Sequence, residues 1–180
     1  MMDAILIVDM QVGLLDGAPK HDLQGVIDRI NQLAARMRAA GGKVIFVQHC
    51  GDAGDDFEPH TPGWQFLAQL RREPADAVVR KTLNDPFQGT GLQAVLQAIN
   101  PDRLLITGWA TDFCVDATVR SAVSNSYNVV VVADGHTVSD RPHLAARDVI
   151  RHHHWVWSRL ITKRSIRIAS TGELLRENGA

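Results

Sequence analysis

Three side chains in this sequence carry the chemistry of acyl transfer, and each follows an apolar, strand-like run. Asp9 closes Ala4-Ile5-Leu6-Ile7-Val8, and Lys81 closes Ala77-Val78-Val79-Arg80. Cys114 lies beyond Leu104-Leu105-Ile106, at the far end of Thr107-Gly108-Trp109-Ala110-Thr111-Asp112-Phe113. A carboxylate can take a thiol proton, an ammonium can stabilise the charges on both sides of that transfer, and a thiolate can attack a carbonyl carbon. Taken singly, each residue has a plainer role. An Asp after a strand turns or caps the chain, a Lys beside Arg80 is a solvated charge, and a Cys is a small core hydrophobe. Only a fold that brings them together makes them a machine.

The elements around Cys114 suit that purpose. Gly108 permits a tight reversal after the strand. Val115, Val119, Ala122 and Val123 then fall on one face of a helix. Asp112 or Thr111 is expected to cap that helix, with Cys114 in its first turn, where free N–H groups and the helix dipole favour a thiolate. Asp9, Lys81 and Cys114 would then share the carboxyl edge of a parallel sheet, where open α/β folds bind ligands.

Elsewhere the chain alternates between the two periods. Leu23, Val26, Ile27, Ile30, Leu33, Ala34 and Met37 form a helical stripe that Gly41-Gly42 ends. Val44–Val47, Val129–Val132 and Ile166–Ile168 read as further strands. Thr90 with Gln93 and Ser170 with Glu173 read as capping boxes. A long Gly/Asp/Pro-rich loop covers Cys50 to Pro62, a short helix is expected over 64–70, and another follows Pro142 with Val149, His153, Trp157 and Leu160 in period. The pattern predicts α/β: one domain over residues 1–180, three layers (α/β/α), Rossmann-like, with a mostly parallel sheet of roughly six strands.

Composition narrows the partners. With 19 Lys plus Arg against 20 Asp plus Glu, nothing here suits nucleic acid or a membrane surface. The apolar runs are strand-sized and no signal peptide opens the chain, so a cytoplasmic protein is expected. Cys50 and Cys114 are too few for a disulfide framework and too far apart for a zinc knuckle. No GxGxxG or Walker pattern supports a nucleotide.

Val8-Asp9-Met10-Gln11, Gln48-His49, Thr61-Pro62-Gly63-Trp64, Arg80-Lys81 before Phe87, Gly89-Thr90-Gly91-Leu92, Thr107 through Val115 and Ala133-Asp134 occur in this order along the chain. Together they resemble the isochorismatase-like cysteine hydrolases. The resemblance implies that Asp9, Lys81 and Cys114 form a triad with Cys114 as nucleophile. It also implies a cis peptide between Trp109 and Ala110, which turns the Ala110 N–H toward the pocket. The Ala110 and Cys114 N–H groups would then hold an oxyanion. Gln11, Trp64, Trp109 and Phe113 are expected to wall the substrate pocket. A homo-oligomer, dimer or tetramer, is implied as well.

The cysteine favours attack on an acyl carbon over cleavage of a vinyl ether. Nicotinamidase-like members of the family carry an Asp and closely spaced His residues that bind a metal, and no His-x-His stands after the second strand here. His49, Asp52 and His60 are the residues from which such a site would have to be assembled. Successive side chains on a helix point about 100° apart, so His152-His153-His154 cannot share one ion. The expectation is therefore a hydrolase that needs no metal or other cofactor and cleaves a C–N bond in a small amide, lactam or related acyl substrate through a thioester. The alternatives are a metal-assisted nicotinamidase-like amidase, and a non-catalytic small-molecule-binding or redox-sensing module. Rapid alkylation of Cys114 at neutral pH, suppressed by Asp9→Asn or Lys81→Ala, is the expected signature of a working triad.

Overall fold

Ala4-Ile5-Leu6-Ile7-Val8 has no polar residue to spare for solvent, and the fold gives it no exposed face. In the computed structural model, which describes residues 2–177, this strand, β1 (Ala4–Val8), lies inside a six-stranded sheet. Its partners are β2 (Lys43–His49) and β4 (Leu104–Trp109); β3 (Ala77–Lys81), β5 (Val129–Thr137) and β6 (Ile166–Ala169) complete the order β3-β2-β1-β4-β5-β6. Every pairing is parallel.

Alternate side chains of each strand feed opposite faces. Ile5, Ile7 and Phe46 pack with α2 (Leu23–Ala39) and α6 (Thr171–Glu177) on one side. Leu6, Val8, Ile45 and Ile106 pack with α3 (Leu92–Ile99), α4 (Asp116–Ser124) and α5 (Ala146–Trp157) on the other. The stripe Val115, Val119, Ala122 and Val123 is buried as its spacing required. Gly41, at φ +76°, closes α2. Ser170 and Glu173 bond reciprocally at the start of α6, whereas at α3 only Thr90 reaches a helical N–H, that of Leu92. Among the described residues no helix is long and apolar enough to cross a membrane.

Two local expectations need correction. Residues 64–70 form no helix, because their backbone groups are used by the first loop. Gln65 accepts from Val12, Leu67 donates to Met10, and Phe66 bridges Gln11 in antiparallel fashion. The first loop itself forms a single helical turn, α1 (Val12–Leu15), which no period announces. The helix after Pro142 begins only at Ala146 and stops at Trp157, so Leu160 packs on the core from outside it.

Candidate active site

The strand order reverses between β1 and β4, and open α/β sheets leave a crevice at the carboxyl ends of such a pair. Asp9 stands at the end of β1 with φ +51°, a left-handed conformation that Asp tolerates better than most residues. Lys81 ends β3, in register with His49 of β2. Cys114 arrives from beyond β4.

These three residues meet. Lys81 Nζ lies 2.6 Å from Asp9 Oδ2, 3.0 Å from the Leu83 carbonyl and 3.4 Å from Cys114 Sγ, one acceptor for each ammonium proton. The Asp9 and Lys81 side chains are wholly buried, and Cys114 is partly exposed. A buried ion pair of this kind is costly to desolvate and is held only where geometry and hydrogen bonds compensate.

The segment that delivers Cys114 differs from the expected helix start. Gly108 takes φ +119°, and a Cβ there would stand 2.1 Å from the Val8 carbonyl oxygen, so only glycine lets β4 approach β1 this closely. The Trp109–Ala110 peptide is cis. Residues Thr111–Val115 then form a π-helical turn ahead of α4, with the Ala110 carbonyl accepting from Phe113 and Val115. Neither Thr111 nor Asp112 caps it. Thr111 is buried and bonded to His136 and the Thr137 carbonyl; Asp112 makes a bidentate pair with Arg141 at 2.7 Å to each oxygen. Among the described residues, the Ala110 N–H has no backbone or side-chain acceptor.

Electrostatics correct a second expectation. Cys114 is not a ready thiolate. Burial first, then the negative charge of Asp9, push its thiol up to about 12, and the opposing pull of Lys81 is smaller. Burial also raises the Asp9 carboxyl, against the lowering effect of Lys81 and of the neighbouring Cys114 thiol. The resting arrangement is therefore an Asp9–Lys81 ion pair beside a protonated sulfur, with Lys81 Nζ in contact with both. His49 is held below its usual range by burial and by the charge of Lys81.

Asp9, Ala110 and Cys114 border a cleft of about 280 Å³. Trp109 and Phe113 line it with Leu14, His49, Asn84 and Arg141. Gln11 and Trp64 do not. Gln11 is fully buried, its amide bonded to the His49 and Trp64 carbonyls and to the His49 N–H, so it fixes the β2 end and the loop behind the cleft. Trp64 is buried beside it, with Arg80 over its ring. Asn84, whose Oδ1 is 3.6 Å from Sγ, and Arg141, whose guanidinium lies over the Phe113 ring, were not singled out in the sequence. A turn after β3 and a loop before α5 carry no period, and the ion pair with Asp112 and the stack on Phe113 fix where Arg141 points.

His49 packs on Phe57 and His60 on Trp64, and among the described residues no three His, Cys, Asp or Glu side chains converge. His152, His153 and His154 diverge on α5: His153 bonds the Val149 carbonyl, while His154 turns inward to His136.

Comparison with known proteins identifies the family. The sequence profile of the Isochorismatase domain matches residues 3–158. Streptothricin hydrolase of Streptomyces noursei is 38% identical over 149 residues, 82% of this chain and 53% of that protein. Ureidoacrylate amidohydrolase RutB of Methylorubrum extorquens is 30% identical over 193 residues, 84% of this chain and 77% of that protein. The chain thus spans about half the length of the streptothricin hydrolases it matches. An isochorismatase-family protein from Chromobacterium violaceum superposes with a TM-score of 0.87 at 25% identity, over 99% of this chain and 94% of that one. By profile, sequence and fold, the chain belongs to the isochorismatase family.

Proposed function

We propose that the protein is a cysteine hydrolase that cleaves a C–N bond in a small amide, lactam or related acyl compound, without a metal. The observation that carries this reading is the contact of one buried ammonium with both the Asp9 carboxylate and the Cys114 sulfur, at the floor of an open cleft. Two relatives named as a streptothricin hydrolase and an ureidoacrylate amidohydrolase support the reaction class.

In the proposed cycle the thiol proton moves to Asp9 as Sγ bonds to the carbonyl carbon. The oxyanion settles on the Ala110 and Cys114 N–H groups, where one such donor is typically worth about 3 kcal/mol of barrier. Lys81 stays charged throughout and compensates whichever partner, carboxylate or sulfur, is negative. As the C–N bond breaks, Asp9 returns the proton to the leaving nitrogen, which departs as an amine and leaves a thioester. Water gives a proton to Asp9 and its hydroxide to the acyl carbon. The acid is released, and the proton returns to sulfur. Because the cycle passes one proton back and forth, a thiol with raised proton affinity beside a carboxylate serves it better than a permanent thiolate.

Trp109, Phe113 and Leu14 make the cleft largely apolar, which favours a compact acyl group over a strongly charged one. Assay of amides and lactams with wild type and Cys114→Ala side by side tests the reading. Turnover by the wild type alone supports it, and equal turnover by Cys114→Ala ends it.

A further inference from the structure

A second buried polar chain lies behind the π-helical turn and takes no part in the cycle above. Thr111 is fully buried. Its hydroxyl donates to the Thr137 carbonyl at 3.1 Å and lies 2.8 Å from His136 Nδ1. A hydroxyl has one proton. With that proton given to Thr137, the oxygen must accept from His136, so His136 carries its hydrogen on Nδ1. Burial, with His154 and His153 nearby, pushes His136 down to about 3, so the ring is neutral and its Nε2 is a bare acceptor. His154 Nε2 lies 3.0 Å away and is then the donor. The Ala133 carbonyl also accepts from the His154 ring, and a neutral ring has one proton, so the arrangement in which His154 donates to Ala133 and His136 donates from Nε2 competes with this one.

The chain joins three elements. Thr111 opens the turn that carries Ala110 and Cys114, His136 and Thr137 close β5, and His154 belongs to α5. At this point β5 pairs irregularly with β4, whose register shifts between Ile106 and Gly108, so regular strand pairing alone does not fix the turn. We propose that Thr111 and His136 are positioning residues for the hydrolysis: their bond sets the height of the Ala110–Cys114 amide pair over the sulfur. This inference rests on the reading of the protein as a cysteine hydrolase. A displaced oxyanion site lowers the chemical step more than substrate binding, and a misplacement of about 1 Å can cost on the order of a hundredfold.

The test is a paired series on a substrate that the wild type hydrolyses. Thr111→Val keeps the shape and removes the hydroxyl; Thr111→Ser restores it. His136→Leu removes the donor, and His136→Asn keeps an N–H at the place of Nδ1. The proposal expects Thr111→Val and His136→Leu to lose between about ten- and a hundredfold in kcat with KM changed by less than about threefold, and Thr111→Ser and His136→Asn to recover most of it. The two pairs probe the same bond from opposite ends, so one unfolded variant leaves the other pair decisive. ¹⁵N NMR of the wild-type histidine rings reads the tautomer without any turnover, and His136 protonated on Nε2 alone would overturn the chain. Undiminished kcat in Thr111→Val and His136→Leu would overturn the positioning role while leaving the hydrolase intact. A wild type inert toward every amide and lactam would instead overturn the hydrolase reading, and this role with it.

Discussion

Replacing Asp9 by Asn should speed one reaction of Cys114 and abolish another. Asp9 Oδ2 and Cys114 Sγ touch the same Lys81 Nζ at 2.6 and 3.4 Å, which places them within about 6 Å of each other. At an effective dielectric of about 20, a carboxylate at that distance opposes ionisation of the sulfur by about 3 kcal/mol or more, roughly two pKa units. Asp9→Asn removes that charge and leaves the buried ammonium in need of a counterion, which the sulfur can supply. The thiolate fraction near neutral pH should rise about a hundredfold, and the lower basicity should return about tenfold of that as reduced nucleophilicity. The net expectation is alkylation by iodoacetamide about tenfold faster than in the wild type. Amide turnover, deprived of its proton carrier, should fall by about a hundred- to ten-thousandfold. Alkylation followed by mass, beside steady-state kinetics and a thermal melt to confirm folding, measures both. The sign is opposite to what the sequence suggested, because a helix start and a lysine favour a thiolate while the buried carboxylate outweighs them. A folded Asp9→Asn protein alkylated no faster than the wild type would refute this account of the sulfur's proton.

The other predictions follow from neighbouring groups. Lys81→Met should slow alkylation of Cys114, the reverse of Asp9→Asn, and destabilise the fold by about 3–5 kcal/mol by leaving a buried carboxylate unpaired; alkylation kinetics and denaturant melts check both. Gly108→Ala should cost on the order of 3–5 kcal/mol, because its Cβ would collide with the Val8 backbone at a φ that suits glycine, and a urea midpoint well below the wild type is the expected reading. His136 sets a pH dependence of stability. Its folded value of about 3 lies below the ordinary 6.5, so as pH falls through that window the unfolded chain gains a proton that the folded chain refuses. Stability should fall by about 1.4 kcal/mol per pH unit below about 6.5, and His136→Asn should flatten that slope in urea titrations. His154, lowered in the same direction by burial, adds to the effect, and Asp9, raised by burial, opposes it.

The sheet was legible because its strands are unbroken apolar runs and its longest helix, α2, is a clean stripe. Asp9 and Lys81 could be placed at strand ends from that alone, and the segment around Cys114 carried its own signature. The misread parts share one physical cause. The pairing of residues 64–70 with the first loop, the inward turn of Gln11 and the diversion of Thr111 to His136 are all contacts distant in sequence, in which backbone or side-chain polar groups find partners that no local period announces. The raised Cys114 thiol has the same origin. Helix position can be read from neighbours in sequence, but burial and the charge of a residue more than a hundred positions away cannot.

Intact-protein mass spectrometry of rapidly quenched turnover tests the central claim most directly. The wild type should carry an added mass equal to the acyl group of its substrate, on the peptide that contains Cys114, and Cys114→Ala should carry none and turn nothing over. Sustained hydrolysis by Cys114→Ala, or an acyl group found on any other residue, would contradict the assignment of Cys114 as the nucleophile.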